Sequence, residues 1–373
     1  MAFTTLAEGE YSGAVGAAIR RASQAARNGM EQLDGQVMAE LERIYSEAAD
    51  QVRGAILQAA AGGQQVRLEQ LRGLLARIDQ VLQALGTSSA GLIEQALQDA
   101  AELGVRPLTG EGLAATGRAV APVVSRQEAA QQVDAAVRFV AEFRAADGLN
   151  LSDRIWKVNR GAREAVQRTI EAAVVQGWGA HKAAREFLLR GLPVPEATQA
   201  AQRASDVANV LRGADTLQDS AGGALAAAQR VARTEINRAH GEAYMATAAK
   251  APGVVGFRFL LSPRHPRPDI CDLYAKQNLH GLGPGVYPDR KSCPWPAHPN
   301  TLSFVVAVFG PEVAEADRAG RETTMQALER LGPEIRAGVL GPTKAGYFDQ
   351  GLMSRGMVRS RVGDVRRRLE RGR

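Results

Sequence analysis

The chain has 373 residues, 45% of them hydrophobic and 23% charged, which excludes wholesale disorder and exceeds what one hydrophobic core usually serves. Two cysteines exclude a disulfide scaffold, and no uncharged apolar run approaches the ~18 residues of a bilayer span. The net charge of +6 is local, because residues 353–373 carry eight arginines against Asp364 and Glu370. Those arginines are Arg355, Arg359, Arg361, Arg366, Arg367, Arg368, Arg371 and Arg373. They form a basic tail that suits polyanions such as DNA, and equally a solvated helix end. Aromatics are only 5%, so helices are expected over a large sheet. Residues 1–8 lack a basic segment followed by an apolar stretch, and no secretory leader is expected.

Met30, Leu33, Val37, Leu41, Ile44, Ala48, Val52 and Ile56 recur at steps of three and four, which predicts one or two long helices over 10–60. Leu68, Leu71, Leu75, Ile78, Leu82 and Leu85 follow in a heptad that Gly86 is expected to end. This seam suits a homo-oligomer, although packing within the chain is the first expectation. A further helix is predicted over 90–103, then irregular chain to 124. Ser125 and Glu128 spell a capping box for a helix to about 146. Helices are predicted over 152–176, 180–189, 195–211 and 224–249, with a break at Gly177-Trp178-Gly179. Residues 254–261 and 302–309 read as strands. Between them lies a proline-rich loop holding both cysteines and three of the five histidines. Helix returns after Gly310-Pro311 to about 336, before the basic tail.

Within that loop Cys271, Cys293 and His298 suit a soft or borderline cation, and His265, His280, Asp269 and Asp272 offer further donors. No CxxC pair is present, and the cysteines stand 22 residues apart. Three readings stay open: a bound metal, a disulfide, and buried cysteines packed as small hydrophobes, which is the first expectation. No P-loop, GxSxG, HExxH or dinucleotide-binding glycine turn is present, so no enzyme is expected.

The run Val231-Ala232-Arg233-Thr234-Glu235-Ile236-Asn237-Arg238 resembles the ARTE helix of the phage Mu protein F-like minor head proteins, the head morphogenesis family. The order that follows is similar too: Asp269-Ile270-Cys271-Asp272, then Gly281-Leu282-Gly283-Pro284-Gly285-Val286-Tyr287-Pro288, then Pro296-Ala297-His298-Pro299-Asn300. Upstream, Gly177-Trp178-Gly179 with Ala183-Ala184-Arg185 resembles the family's glycine turn and short helix. The resemblance covers about 150–310. Where the family pattern continues into CxC, this chain has Thr301-Leu302-Ser303, and Tyr274 stands where a second cysteine is frequent. That leaves about half the ligands a metal knuckle would use, so no cofactor is expected, with Zn2+ the candidate if a cation is held. Arg233, Glu235 and Arg238 then read as a structural lock, Glu235 pairing with Arg238 along the helix and Arg233 tying it to the Cys/His loop.

The expected fold is mainly α. Residues 1–150 form a multi-helix arm, 151–310 an α+β head-morphogenesis module with a small β-element and long Pro-rich loop, and 311–373 a basic helical tail. The resemblance implies a structural minor capsid protein of a tailed phage, made in the host cytoplasm and carried in the virion, in the head interior or at the portal vertex. Its expected partners are the portal or major capsid protein and genomic DNA bound without sequence preference, and no membrane. The alternative is a metal-dependent hydrolase or toxin-like effector built on the same module.

Overall fold

The computed structural model describes residues 8–60, 66–117, 120–144, 147–189, 193–203, 206–219 and 222–371. It is mainly helical, with one small antiparallel sheet. In chain order the elements begin with α1 (Glu8–Ala59), α2 (Leu68–Val105), α3 (Gly110–Ala114), α4 (Arg126–Glu142) and α5 (Leu151–Leu189). Short helices α6 (Glu196–Gln202), α7 (Val207–Val210) and α8 (Arg212–Asp215) lead to α9 (Ala224–Ala248). Strand β1 (Val254–Leu260), helix α10 (Ile270–Lys276) and strands β2 (Val286–Tyr287) and β3 (Phe304–Phe309) follow. Helices α11 (Glu315–Ala319), α12 (Thr324–Arg330), α13 (Gly332–Leu340), α14 (Pro342–Asp349) and α15 (Val362–Arg371) complete the chain. No helix among the described residues is long and apolar enough to cross a membrane.

The chain divides into two compact units, each drawn from separated stretches rather than from consecutive blocks of sequence. One comprises residues 32–96 and 141–233, the other residues 1–31, 97–140 and 234–373. Residues 311–373 therefore share a unit with the Cys/His loop.

The first unit is helical. Along α2 the buried face in this unit includes Leu74, Ile78, Leu82, Leu85, Ser89, Ile93 and Ala96. That stripe runs straight through Gly86, which does not end the helix. A Cβ there would stand 3.0 Å from Asn159 Nδ2 of α5, so the residue marks a close helix approach instead. Helix α5 likewise passes unbroken through Gly177-Trp178-Gly179, because Val166, Ile170, Val174, Gly177, Ala180 and Ala184 keep one buried face. The expected turn there is absent. The single helix expected over 195–211 is instead broken into α6 and α7. Gly213 of α8 lies close against Ile170, and Arg53 reaches Asp215 at 2.8 Å.

In the second unit, β1 is the central strand of the order β2-β1-β3. Phe257 pairs with Tyr287 on one side and Ala307 on the other. A Cβ on Gly256 would stand 2.5 Å from Tyr287 O, so this strand position admits only glycine without rearrangement. Phe259 is fully buried and meets Tyr274 and Trp295 edge-on, with ring centroids 6.0 and 5.9 Å apart. The segment expected to be loop between the strands also contains α10 and β2. Gly281, Gly283 and Gly285 all take positive φ, which a glycine-rich turn supplies at little cost. Leu273 of α10 packs with Ala327, Leu328, Leu340, Ala345 and Val358, a small core that holds α12 to α14 and the start of the tail. Lys344 Nζ donates to Val358 O and Ser360 O at 2.6 and 3.2 Å, fastening the chain that leads into α15.

Candidate functional site

In the second unit, the part of α9 from Thr234 onward meets the loop from 296 to 303. Thr234 Oγ1 accepts the backbone N–H of Asn300 at 2.9 Å, and Asn237 Nδ2 donates to Thr301 O at 2.8 Å. Asn300 takes φ 64°, a left-handed conformation that asparagine tolerates better than other branched or bulky side chains. These contacts present His298 toward the start of α10.

That start is fixed by a capping box. Asp269 Oδ1 accepts the Cys271 N–H at 2.6 Å, and Asp272 Oδ2 accepts the Asp269 N–H at 3.0 Å. Cys271 is fully buried, with His298 Nε2 at 3.1 Å and Thr301 Oγ1 at 3.6 Å from its sulfur. Burial, above all, pushes its thiol up to about 12. His298 Nε2 also stands 3.2 Å from Asp269 Oδ2, and His265 Nε2 lies 2.8 Å from Asp272 Oδ2. Lys276 Nζ donates to the other oxygen of Asp272 at 2.9 Å. Burial alone would raise the Asp272 carboxyl, but Lys276, the Asp269 amide and His265 outweigh it and hold it below the usual carboxylate range.

Two sets of donor atoms lie within 4.8 Å of one another: Asp269, Cys271 and His298, and His265, Asp269 and Asp272. Asp269 is common to both. Cys293 belongs to neither, which corrects the ligand set expected from the sequence. Both cysteines are free thiols, so the disulfide reading is also excluded. His280 is set apart from both clusters, its ring meeting Tyr287 at 5.8 Å.

Cys293 instead lines a cavity of about 800 Å3 with Phe139, Glu242, Phe257, Arg290 and Trp295. Burial pushes its thiol up to about 12. The Arg290 guanidinium forms an ion pair with Glu242 and lies 4.7 Å from the centre of the Phe139 ring. Burial raises the Glu242 carboxyl, an effect that Arg290 and Arg238 oppose.

Of the three residues read as a lock, Glu235 and Arg238 pair as their spacing predicts, Nε to Oε2 at 2.9 Å, and both are buried. Arg233 does something the sequence did not suggest. Its guanidinium grips Asp34 of α1 through two hydrogen bonds, at 2.8 and 3.0 Å, within the first unit. Thr234 and Asn237, between the charges that drew attention, tie α9 to the 296–303 segment of the Cys/His loop. The spacing of Thr234, three before Asn237 on one helical face, was the available signal.

The tail arginines Arg355, Arg359, Arg361, Arg366, Arg367, Arg368 and Arg371 are exposed, and Arg373 lies outside the described residues. Arg359 Nη2 reaches back to Ala297 O at 3.3 Å, beside the His298 loop. Buried Val358 and Val365 anchor the segment, so the basic stretch is part of the folded unit. No family model, curated protein or solved structure matches this chain.

Proposed function

We propose that this chain is a structural minor head protein of a tailed phage, which binds the portal or inner capsid during head assembly, packaging or ejection. The observation carrying this reading is the gathering of the family-like motifs around one helix. The Thr234 and Asn237 positions of the ARTE-like run hold the His-Pro-Asn loop, and that loop faces the Asp-Ile-Cys-Asp segment. Motifs scattered over about 70 residues thus serve one packed node, as parts of a shared module would.

The node is densely hydrogen-bonded and its one thiol, Cys271, is buried with its pKa pushed up, which suits a scaffold better than nucleophilic catalysis. Exposed arginines on α15 give the protein a sequence-blind grip on packaged DNA, since no aromatic side chain stands among them to stack on bases. Co-expression of the full chain with its portal protein tests the reading. A complex that survives size exclusion, with a fixed copy number by light scattering, is the expected result. Two folded proteins that elute separately would overturn it.

A further inference from the structure

We infer that Asp269, Cys271 and His298 form a three-donor Zn2+ site, with the fourth coordination position open to water. The inference stands independently of the minor head reading, since it rests on the donor geometry alone.

His298 supplies the first argument. Its Nδ1 lies 2.8 Å from Pro299 O, and a carbonyl can only accept, so Nδ1 carries a proton and donates it there. In the neutral ring Nε2 then carries a lone pair, which accepts the Cys271 S–H in the metal-free site and faces two further groups. These are Asp269 Oδ2 at 3.2 Å and Cys271 Sγ at 3.1 Å. An imidazole lone pair facing a carboxylate oxygen calls for a positive charge between them. A backbone carbonyl that fixes the remote ring nitrogen is also the usual outer support of a metal-binding histidine.

Asp269 supplies the second. Its Oδ1 is held by the Cys271 N–H at 2.6 Å, which turns Oδ2 toward His298 and leaves it available. His265 and Asp272 form the next layer: His265 Nε2 is bound to Asp272 Oδ2 and stands 3.8 Å from Asp269 Oδ1. The spacing fits as well. Tetrahedral zinc with ordinary Zn–S, Zn–N and Zn–O bonds places neighbouring donors roughly 3.3–3.6 Å apart; the two spacings to His298 Nε2, 3.2 and 3.1 Å, lie close to that, and all three donors lie within 4.8 Å of one another.

One thiolate, one imidazole and one carboxylate select zinc or its relatives over calcium and magnesium, which prefer all-oxygen shells. Binding exchanges the Cys271 thiol proton, released to solvent, for a sulfur–zinc bond. The two anionic ligands then balance the ion's charge. The side chains of Asp269 and His298 are each 34% exposed, which provides the entry path and the open position. A bound ion would clip the start of α10 to the loop that α9 already holds.

The test uses the full chain, stripped with a chelator and titrated with Co2+ as a spectroscopic stand-in, then with Zn2+. One equivalent of Co2+ should give a thiolate-to-cobalt charge-transfer band, and Zn2+ should abolish it. Cys271→Ser should remove the band and Cys293→Ser should leave it unchanged. His298→Gln, at a partly exposed side chain, should weaken binding roughly tenfold or more with the circular dichroism intact, which keeps the test decisive if Cys271→Ser fails to fold. Absence of the band, its loss with Cys293→Ser, or undiminished affinity in His298→Gln would overturn the site. The first of these would mean that a protonated His298 bridges Asp269 instead.

Discussion

Thr234 Oγ1 takes the backbone N–H of Asn300 at 2.9 Å, and Asn300 is the one non-glycine residue with positive φ among the described residues. A side chain of the ARTE-like run thus steadies the turn in which the His-Pro-Asn motif ends. Thr234→Val keeps the shape and removes the acceptor. The expected cost is about 1–2 kcal/mol in urea unfolding, with Thr234→Ser close to the parent. Equal stability of all three proteins would show that the bond carries no weight.

Trp295 explains Gly241. A Cβ at 241 would stand 1.9 Å from the Trp295 Nε1, an atom shut off from solvent, and the indole is hemmed in by Phe259 at 5.9 Å between ring centroids. Gly241→Ala gains helix propensity yet must push the ring out of its place, a net loss of about 1–3 kcal/mol from overpacking. The indole environment should change with it. A thermal midpoint at or above the parent's, with unaltered tryptophan fluorescence, would refute this account.

Long-range order explains what could and could not be read from the chain. The apolar stripe of α1, the Ser125–Glu128 capping box, strands β1 and β3 and the Glu235–Arg238 pair are local patterns, and each forms as its spacing dictates. Gly86 and Gly177 misled because a glycine inside a helix reads as a stop, while here each sits in a continuous stripe. Helix α10 was hidden among prolines, although Asp269 and Asp272 at capping-box spacing announced it. Separation of Cys293 from Cys271, and the grip of Arg233 on Asp34, depend on tertiary packing that no spacing encodes. The tail was legible as basic and helical, but its anchoring was not, because it is held by Lys344 and two buried valines rather than by a periodic pattern.

His240 of α9 is partly buried, but its Nε2 is shut off from solvent and lacks a hydrogen-bond partner, and burial lowers its pKa to about 4. In the unfolded chain the same ring titrates near 6.5. The unfolded state therefore takes up the proton first on acidification. Stability from this residue is full above about pH 6.5 and declines as pH falls toward 4, by roughly 3 kcal/mol in all. His240→Leu, which cannot titrate, should flatten that limb of a stability–pH curve measured by urea unfolding. A parent and variant that lose stability in parallel between pH 6.5 and 4 would rule out His240 as the cause.

Arg366, Arg367, Arg368 and Arg371 project from α15 into solvent, while Val365 on the same helix is buried. Truncating the tail would strip Val358 and Val365 from the fold, so charge reversal is the cleaner probe. In the triple variant Arg366→Glu, Arg367→Glu and Arg368→Glu the packed face is untouched and the field over α15 changes sign. If these arginines neutralise phosphates, DNA affinity should fall steeply at low salt. The slope of log affinity against log salt should flatten by about 0.9 for each phosphate that is no longer neutralised. Affinity should be equal on unrelated duplexes, since only the backbone is touched. A variant that binds DNA with the parent's affinity and salt slope would remove DNA from the role of this tail and leave an acidic capsid surface as its counterpart.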